Sequence, residues 1–87
     1  MIPASDIKKF ITTKLHEKAA LLGEPQPDVT HDYDIMASGL LDSMEFLVMI
    51  SEIEDKYFVE VNFSEADPES MSTVEGFLGS MKPIKAS

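Results

Sequence analysis

The chain has 87 residues and no cysteine, so it fits one small domain, residues 1–87, and has neither a disulfide framework nor a cysteine-ligated metal. Sixteen acidic residues against seven lysines give a formal net charge of -9, which repels nucleic acid and anionic membranes and attracts basic protein surfaces. The sequence shows no apolar run long enough to span a membrane and no secretory signal, which predicts a cytoplasmic protein.

The first predicted element is an amphipathic helix with Ser5 as its N-cap and Gly23 at its end. Pro25 and Pro27 follow and oppose a restart of the helix. His16 has no partner at metal-ligand spacing, so we expect a solvated helix residue there. The helical spacing of the apolar side chains predicts a buried stripe of Ile7, Phe10, Ile11, Leu15, Ala19 and Leu22.

A long connection is predicted from about residue 24 to residue 41. Asp28, Asp32 and Asp34 suggest a calcium loop, but Ala37 and Ser43 occupy the positions where an EF-hand needs glycine and glutamate, so no metal site is predicted. Apolar residues are spread through the connection, which predicts that it packs against the helices. These residues are Val29, Tyr33, Ile35, Met36, Leu40 and Leu41.

The second predicted helix begins near Asp42, which forms a capping-box pattern with Glu45 three residues later. One face of this helix is apolar and the other is acidic. The apolar spacing predicts a core face of Leu47, Ile50, Ile53 and Tyr57, with Met49 beside it. From the neighbouring helices we expect Phe10, Val74 and Phe77 to join the same core.

The last third of the chain gives weaker signals. The alternation from Val59 to Val61 indicates a short extended segment, interpreted as a connector because no second strand is apparent. Residues 64–68 could hold one helical turn, and residues 82–87 are predicted to fray. Ser72 or Thr73 can cap a final helix that Gly76 and Gly79 weaken. This helix is predicted to carry Val74, Phe77, Leu78 and Met81.

The resulting prediction is an all-α fold, a four-helix bundle with a long loop between helices 1 and 2 and a short third helix. Within it, the segment Gly39-Leu40-Leu41-Asp42-Ser43-Met44-Glu45 resembles the prosthetic-group site of the acyl carrier protein family. The resemblance extends over nearly the whole chain, through Tyr57, Val59-Glu60-Val61 and Ser72-Thr73-Val74. It implies that Ser43 receives 4'-phosphopantetheine from coenzyme A and that the transferase recognises Asp42.

The resemblance further implies a protein that is not an enzyme but a carrier, holding acyl or aminoacyl groups as thioesters on the arm. The implied partners are a phosphopantetheinyl transferase, an activating ligase, and downstream transferases or synthases. One extra residue between Gly39 and Asp42 suggests a specialised carrier, in an aminoacyl (D-alanyl), polyketide, peptide or modified-lipid pathway, and the sequence leaves this choice open. The strong net charge predicts a monomer and salt-sensitive partner binding. The competing interpretation is an unmodified acidic helical adaptor.

Four residues beside Ser43 are candidate partner contacts. Met44 and Glu45 match positions at which the family meets its enzymes, although core packing and helix capping are the simpler roles for them. Phe46 and Val48 depart from the family, and we expect an exposed apolar contact patch there unless a rotated second helix buries both.

Overall fold

The computed structural model describes residues 2–62 and 68–84, with only the backbone at residues 68 and 69. The described elements follow one another in chain order, with a long connection between the first two. They are α1 (Ala4–Leu22), α2 (Ser43–Tyr57), β1 (Val59–Val61), α3 (Pro68–Met71), α4 (Val74–Gly79) and β2 (Met81–Pro83). No helix in the described ranges is both long enough and apolar enough to cross a membrane.

The first helix begins earlier than predicted. Pro3 is the N-cap without a side-chain bond, and its carbonyl accepts the N–H of Ile7 at 3.0 Å. Ser5 therefore lies inside the first turn, and its prediction as the cap is wrong. Gly23 does end the helix, in the left-handed conformation with φ of 69°. The stripe of Ile7, Ile11, Leu15 and Ala19 is fully buried as predicted, whereas Leu22 is exposed and Phe10 half-buried.

The long connection packs against the helices, as its apolar residues predicted. The ring of His16 on α1 hydrogen-bonds the carbonyl oxygen of Pro27 at 2.8 Å, so His16 is tied to the loop and not simply solvated. Further along, the N–H of Ile35 donates to the carbonyl of Ser72 at 2.6 Å, which joins the loop to the start of α4. The buried residues of the connection are Val29, Ile35, Leu40 and Leu41.

The core face of α2 differs from the predicted one in one member, because Met49, Ile50, Ile53 and Tyr57 face the core as predicted. Leu47, predicted to be buried, is 49% exposed, and Phe46 instead lies half-buried against Phe77 with ring centroids 5.4 Å apart. The observed stripe turns Phe46 inward, which buries more apolar area than Leu47 would. Its members are Phe46, Met49, Ile50, Ile53 and Tyr57, of which the middle three are fully buried.

The end of the chain overturns the all-α prediction. Val59–Val61 is not a connector but a strand that pairs antiparallel with Met81–Pro83, with Val61 opposite Met81. Val59, Val61 and Met81 are buried, so Met81 belongs to a sheet and not to the last helix, and Lys82 and Pro83 are ordered in it. The described part of the chain is thus a small mixed α/β fold, with three helices, one four-residue helical turn and a two-stranded sheet. It is not a four-helix bundle.

The final helix is short and closely packed. Of the two predicted caps, Ser72 and Thr73, it is Thr73 that caps the helix, accepting the N–H of Gly76 at 3.1 Å. A Cβ atom added at Gly76 would lie 1.6 Å from the carbonyl oxygen of Ser70, so this glycine permits α3 to approach α4. The helical turn predicted at residues 64–68 lies outside the described ranges except for Pro68, which is the first residue of α3.

Candidate functional site

Ser43 is the first residue of the 15-residue helix α2, immediately after the N-cap Asp42. The capping box is complete: the Asp42 carboxylate accepts the N–H of Glu45 at 2.7 Å, and the Glu45 carboxylate accepts the N–H of Asp42 at 3.2 Å. These bonds hold the first turn rigid. The Ser43 side chain is exposed, and its hydroxyl bonds no group in the part of the chain that the structure describes. The geometry thus presents a free hydroxyl on a fixed helix end.

The backbone around Ser43 suits an attached anion. The N–H groups of Ser43 and Met44 donate to no acceptor within residues 2–62 and 68–84. Free N–H groups in the first turn, together with the positive end of the helix dipole, stabilise a phosphate placed beside them. The Asp42 side chain does not occupy these two N–H groups, because its carboxylate accepts the N–H of Glu45, the residue after Met44. The residues present therefore fit a phosphodiester on Ser43.

Glu45 is already bound within the chain. Its second carboxylate oxygen accepts a hydrogen bond from Lys18 of α1, so the start of α2 is joined to α1 by an ion pair. The bond from Lys18, followed by that from the Asp42 N–H, holds the pKa of the Glu45 carboxyl below its ordinary value. A basic partner that binds Glu45 must therefore compete with Lys18.

We expect Lys18→Gln to raise the pKa of Glu45 toward its ordinary value, because the largest cause of the lowering is removed. A carboxyl with a lowered folded-state pKa stabilises the fold above its unfolded pKa and loses that contribution as pH falls through the folded value. The carboxyl-carbon NMR titration of Glu45 measures this directly. Lys14→Gln is the matched control, because Lys14 pairs with Glu52 at 3.1 Å. An unchanged Glu45 titration in the Lys18 variant would contradict the assigned cause.

The apolar surface near Ser43 differs from the predicted patch in one member. Met44 is 68% and Val48 54% exposed, as a contact role requires, but Phe46 packs inward. The predicted exposed pair of Phe46 and Val48 is therefore wrong in its first residue, and Leu47 takes that place on the surface. The sequence pattern missed Leu47 as a surface residue because it was assigned to the core face of α2 in place of Phe46.

A groove between α1 and α2 opens beside Ser43. Its volume is about 320 Å³, and the two ion pairs Lys14–Glu52 and Lys18–Glu45 line it together with Glu17. The apolar part of its lining consists of Leu21, Leu41, Met44, Val48 and Met49. Sequence reasoning did not find this groove, because it depends on how α1 lies against α2 and no local pattern records that.

The acidic residues of the loop make local bonds. Asp34 accepts the N–H of Ala37 at 2.9 Å and the hydroxyl of Ser72 at 3.2 Å, and Asp32 accepts the hydroxyl of Thr30 at 2.5 Å. The Thr30 hydrogen bond is the main cause that lowers the pKa of Asp32. No group of three or more metal-ligating side chains occurs in the described ranges.

Comparisons with protein-family models, with curated proteins and with solved structures find no match to this chain.

Proposed function

We propose that this protein is a carrier that holds acyl or aminoacyl groups on a 4'-phosphopantetheine arm attached to Ser43. The observation that carries the proposal is the exposed Ser43 hydroxyl at the start of a capped helix, which has no hydrogen-bond partner among the described residues. When attached, the arm supplies a thiol that holds cargo as a thioester, a chemistry that the cysteine-free chain lacks. The chain's own part is to present one nucleophilic hydroxyl and to stabilise the phosphodiester.

Each residue at the helix start has a separate role in this proposal. Asp42 fixes the first turn and offers its exposed carboxylate edge to the transferase. The N–H groups of Ser43 and Met44 bind the phosphate oxygens. The partners are a phosphopantetheinyl transferase, an activating ligase and downstream transferases or synthases.

The surface that these partners meet is more apolar than the net charge of -9 suggests. Glu45 and Glu52 on α2 are already neutralised by Lys18 and Lys14. Met44, Leu47 and Val48 project beside them as exposed apolar side chains. The overall charge then steers encounters at long range, while the close contact is largely hydrophobic.

The experiment that tests the carrier function is an intact-mass measurement before and after incubation with coenzyme A, magnesium and a broad-specificity phosphopantetheinyl transferase. We expect the wild type to gain one phosphopantetheine and Ser43→Ala to gain none. Ser5→Ala is the matched control, because Ser5 is also an exposed serine in the first turn of a helix, and it should load fully. A folded wild type that gains no mass with several transferases would favour the unmodified adaptor.

A further inference from the structure

We propose that Met44 is a reversible oxidation site that regulates the loading of Ser43. A peroxide converts the Met44 thioether to a sulfoxide, and this change weakens the contact between the start of α2 and the transferase that acts there. The inference rests on the proposed function and adds a regulation to that same site. It begins from the uneven exposure of the methionines over the fold.

Met44 is the most accessible methionine of the described ranges. It is 68% exposed, whereas Met49, Met71 and Met81 are at most 8% exposed and Met36 is half-buried. An oxidant in solution reaches Met44 directly, but it reaches the three buried sulfur atoms only when the fold opens locally. Because the chain has no cysteine, methionine supplies every sulfur atom that a peroxide can oxidise before an arm is attached.

Met44 lies where an enzyme must approach Ser43. The two residues are adjacent in the first turn of α2, and both are exposed. A helical side chain leans toward the N-terminus of its helix, so the Met44 thioether covers the surface at the helix start. In agreement with this, Met44 lines the groove together with Leu41, which precedes the helix. An enzyme whose reacting atoms meet the Ser43 hydroxyl therefore covers Met44 as well.

Oxidation changes this contact from apolar to polar. The peroxide O–O bond breaks, one oxygen atom is transferred to the sulfur, which loses two electrons, and the other oxygen leaves as water when the oxidant is hydrogen peroxide. The sulfoxide oxygen is a hydrogen-bond acceptor, so covering it with an apolar enzyme surface costs free energy unless a donor replaces its water. Oxidation of Met44 therefore weakens binding without touching Ser43 itself.

The neighbouring apolar side chains do not share this sensitivity. Met44, Leu47 and Val48 are the exposed apolar residues of α2 beside Ser43, and of these three only Met44 contains sulfur. A leucine at position 44 would give a similar apolar contact that peroxide leaves unchanged. Since methionine sulfoxide reductases convert the sulfoxide back to the thioether, the change at Met44 is reversible.

The first part of the test measures which sulfur reacts. The protein without an attached arm is treated with hydrogen peroxide, and peptide mass spectrometry follows each methionine over time. We expect Met44 to be oxidised at least about tenfold faster than Met49, which lies on the buried side of the same helix and reacts only after local opening. Circular dichroism should show the same fold before and after Met44 is oxidised, because its side chain is outside the core.

The second part measures loading by a phosphopantetheinyl transferase with coenzyme A and magnesium, after the peroxide is removed. Oxidation of Met44 should raise the KM for this protein about fivefold and leave kcat nearly unchanged, as expected when an apolar contact is lost in the ground and transition states alike. Met44→Gln, with a polar side chain of similar length, should show the raised KM without peroxide. Treatment with methionine sulfoxide reductases should restore the KM of the oxidised wild type.

Two variants serve as controls. Met44→Leu keeps the apolar contact and lacks the sulfur, so it should load equally well before and after peroxide. Met36→Leu removes the half-buried methionine of the long connection and should remain as sensitive to peroxide as the wild type.

Three results would overturn the proposal: oxidation of Met49, Met71 or Met81 as fast as Met44, unchanged loading kinetics once Met44 is oxidised, or an equal rise in KM in the peroxide-treated Met44→Leu variant. An untreated wild type that does not load contradicts the proposed carrier function itself. The untreated sample therefore separates a failure of that function from a failure of the regulation.

Discussion

Replacing Gly76 with alanine is expected to destabilise the fold by about 3 kcal/mol or more. The new methyl carbon would lie 1.6 Å from the carbonyl oxygen of Ser70, a distance that no rotamer change can relieve because both atoms are fixed to backbone. Either α3 moves away from α4, or the cap of α4 at Thr73 is lost with the displaced Gly76 N–H. Urea unfolding followed by circular dichroism measures the change.

Gly79→Ala is the matched control. Gly79 is in the same helix, but a Cβ added there meets no atom within 4 Å. Alanine has the higher helix propensity, so this variant should be as stable as the wild type or more stable by up to about 1 kcal/mol. A gain in stability at both glycines would mean that helix propensity, and not the approach to Ser70, decides the effect.

These two glycines illustrate what the sequence could and could not predict. From sequence alone both were predicted to weaken the last helix equally, because propensity is a local property. The contact that separates them joins α3 to α4 and has no local signature. Several features that depend on only a few residues were predicted correctly: the end of α1 at Gly23, the capping box from Asp42 to Glu45, and a cap at Ser72 or Thr73, of which Thr73 is the one used.

One member of the α2 core face, Leu47, was predicted wrongly for a related reason. Two overlapping stripes, one with Phe46 and one with Leu47, both have helical spacing, and only the packing against Phe77 selects between them. At the candidate site, the capped start of α2 followed from the sequence. The pairing of Glu45 with Lys18 did not, since 27 residues separate them and only the placement of α1 beside α2 joins them.

The sheet was the largest error, and its cause lies in β2. Val59 and Val61 alternate as a half-buried strand should, but Met81-Lys82-Pro83 is too short and too mixed to read as a partner. Pro83 lacks an N–H and is tolerated because β2 is an edge strand in the two-stranded sheet that the described residues form. A strand of this kind is recognised from its hydrogen bonds to β1 in the structure and not from its own sequence.

Deletion of residues 81–87 is therefore expected to lower the free energy of unfolding by about 3 kcal/mol or more. The deletion removes the buried Met81 side chain, for which loss to alanine alone costs about 2–5 kcal/mol. It also removes the hydrogen bonds to β1 and exposes Val59 and Val61 to water.

Deletion of residues 85–87 is the control, because it leaves every described contact of β2 in place. Urea midpoints of the two truncated chains compare them directly, and equal midpoints would mean that β2 adds nothing to the fold. If only the longer deletion lowers the urea midpoint, and its folded fraction loads phosphopantetheine at Ser43 as the wild type is proposed to do, the sheet stabilises the fold but is not needed at the proposed attachment site.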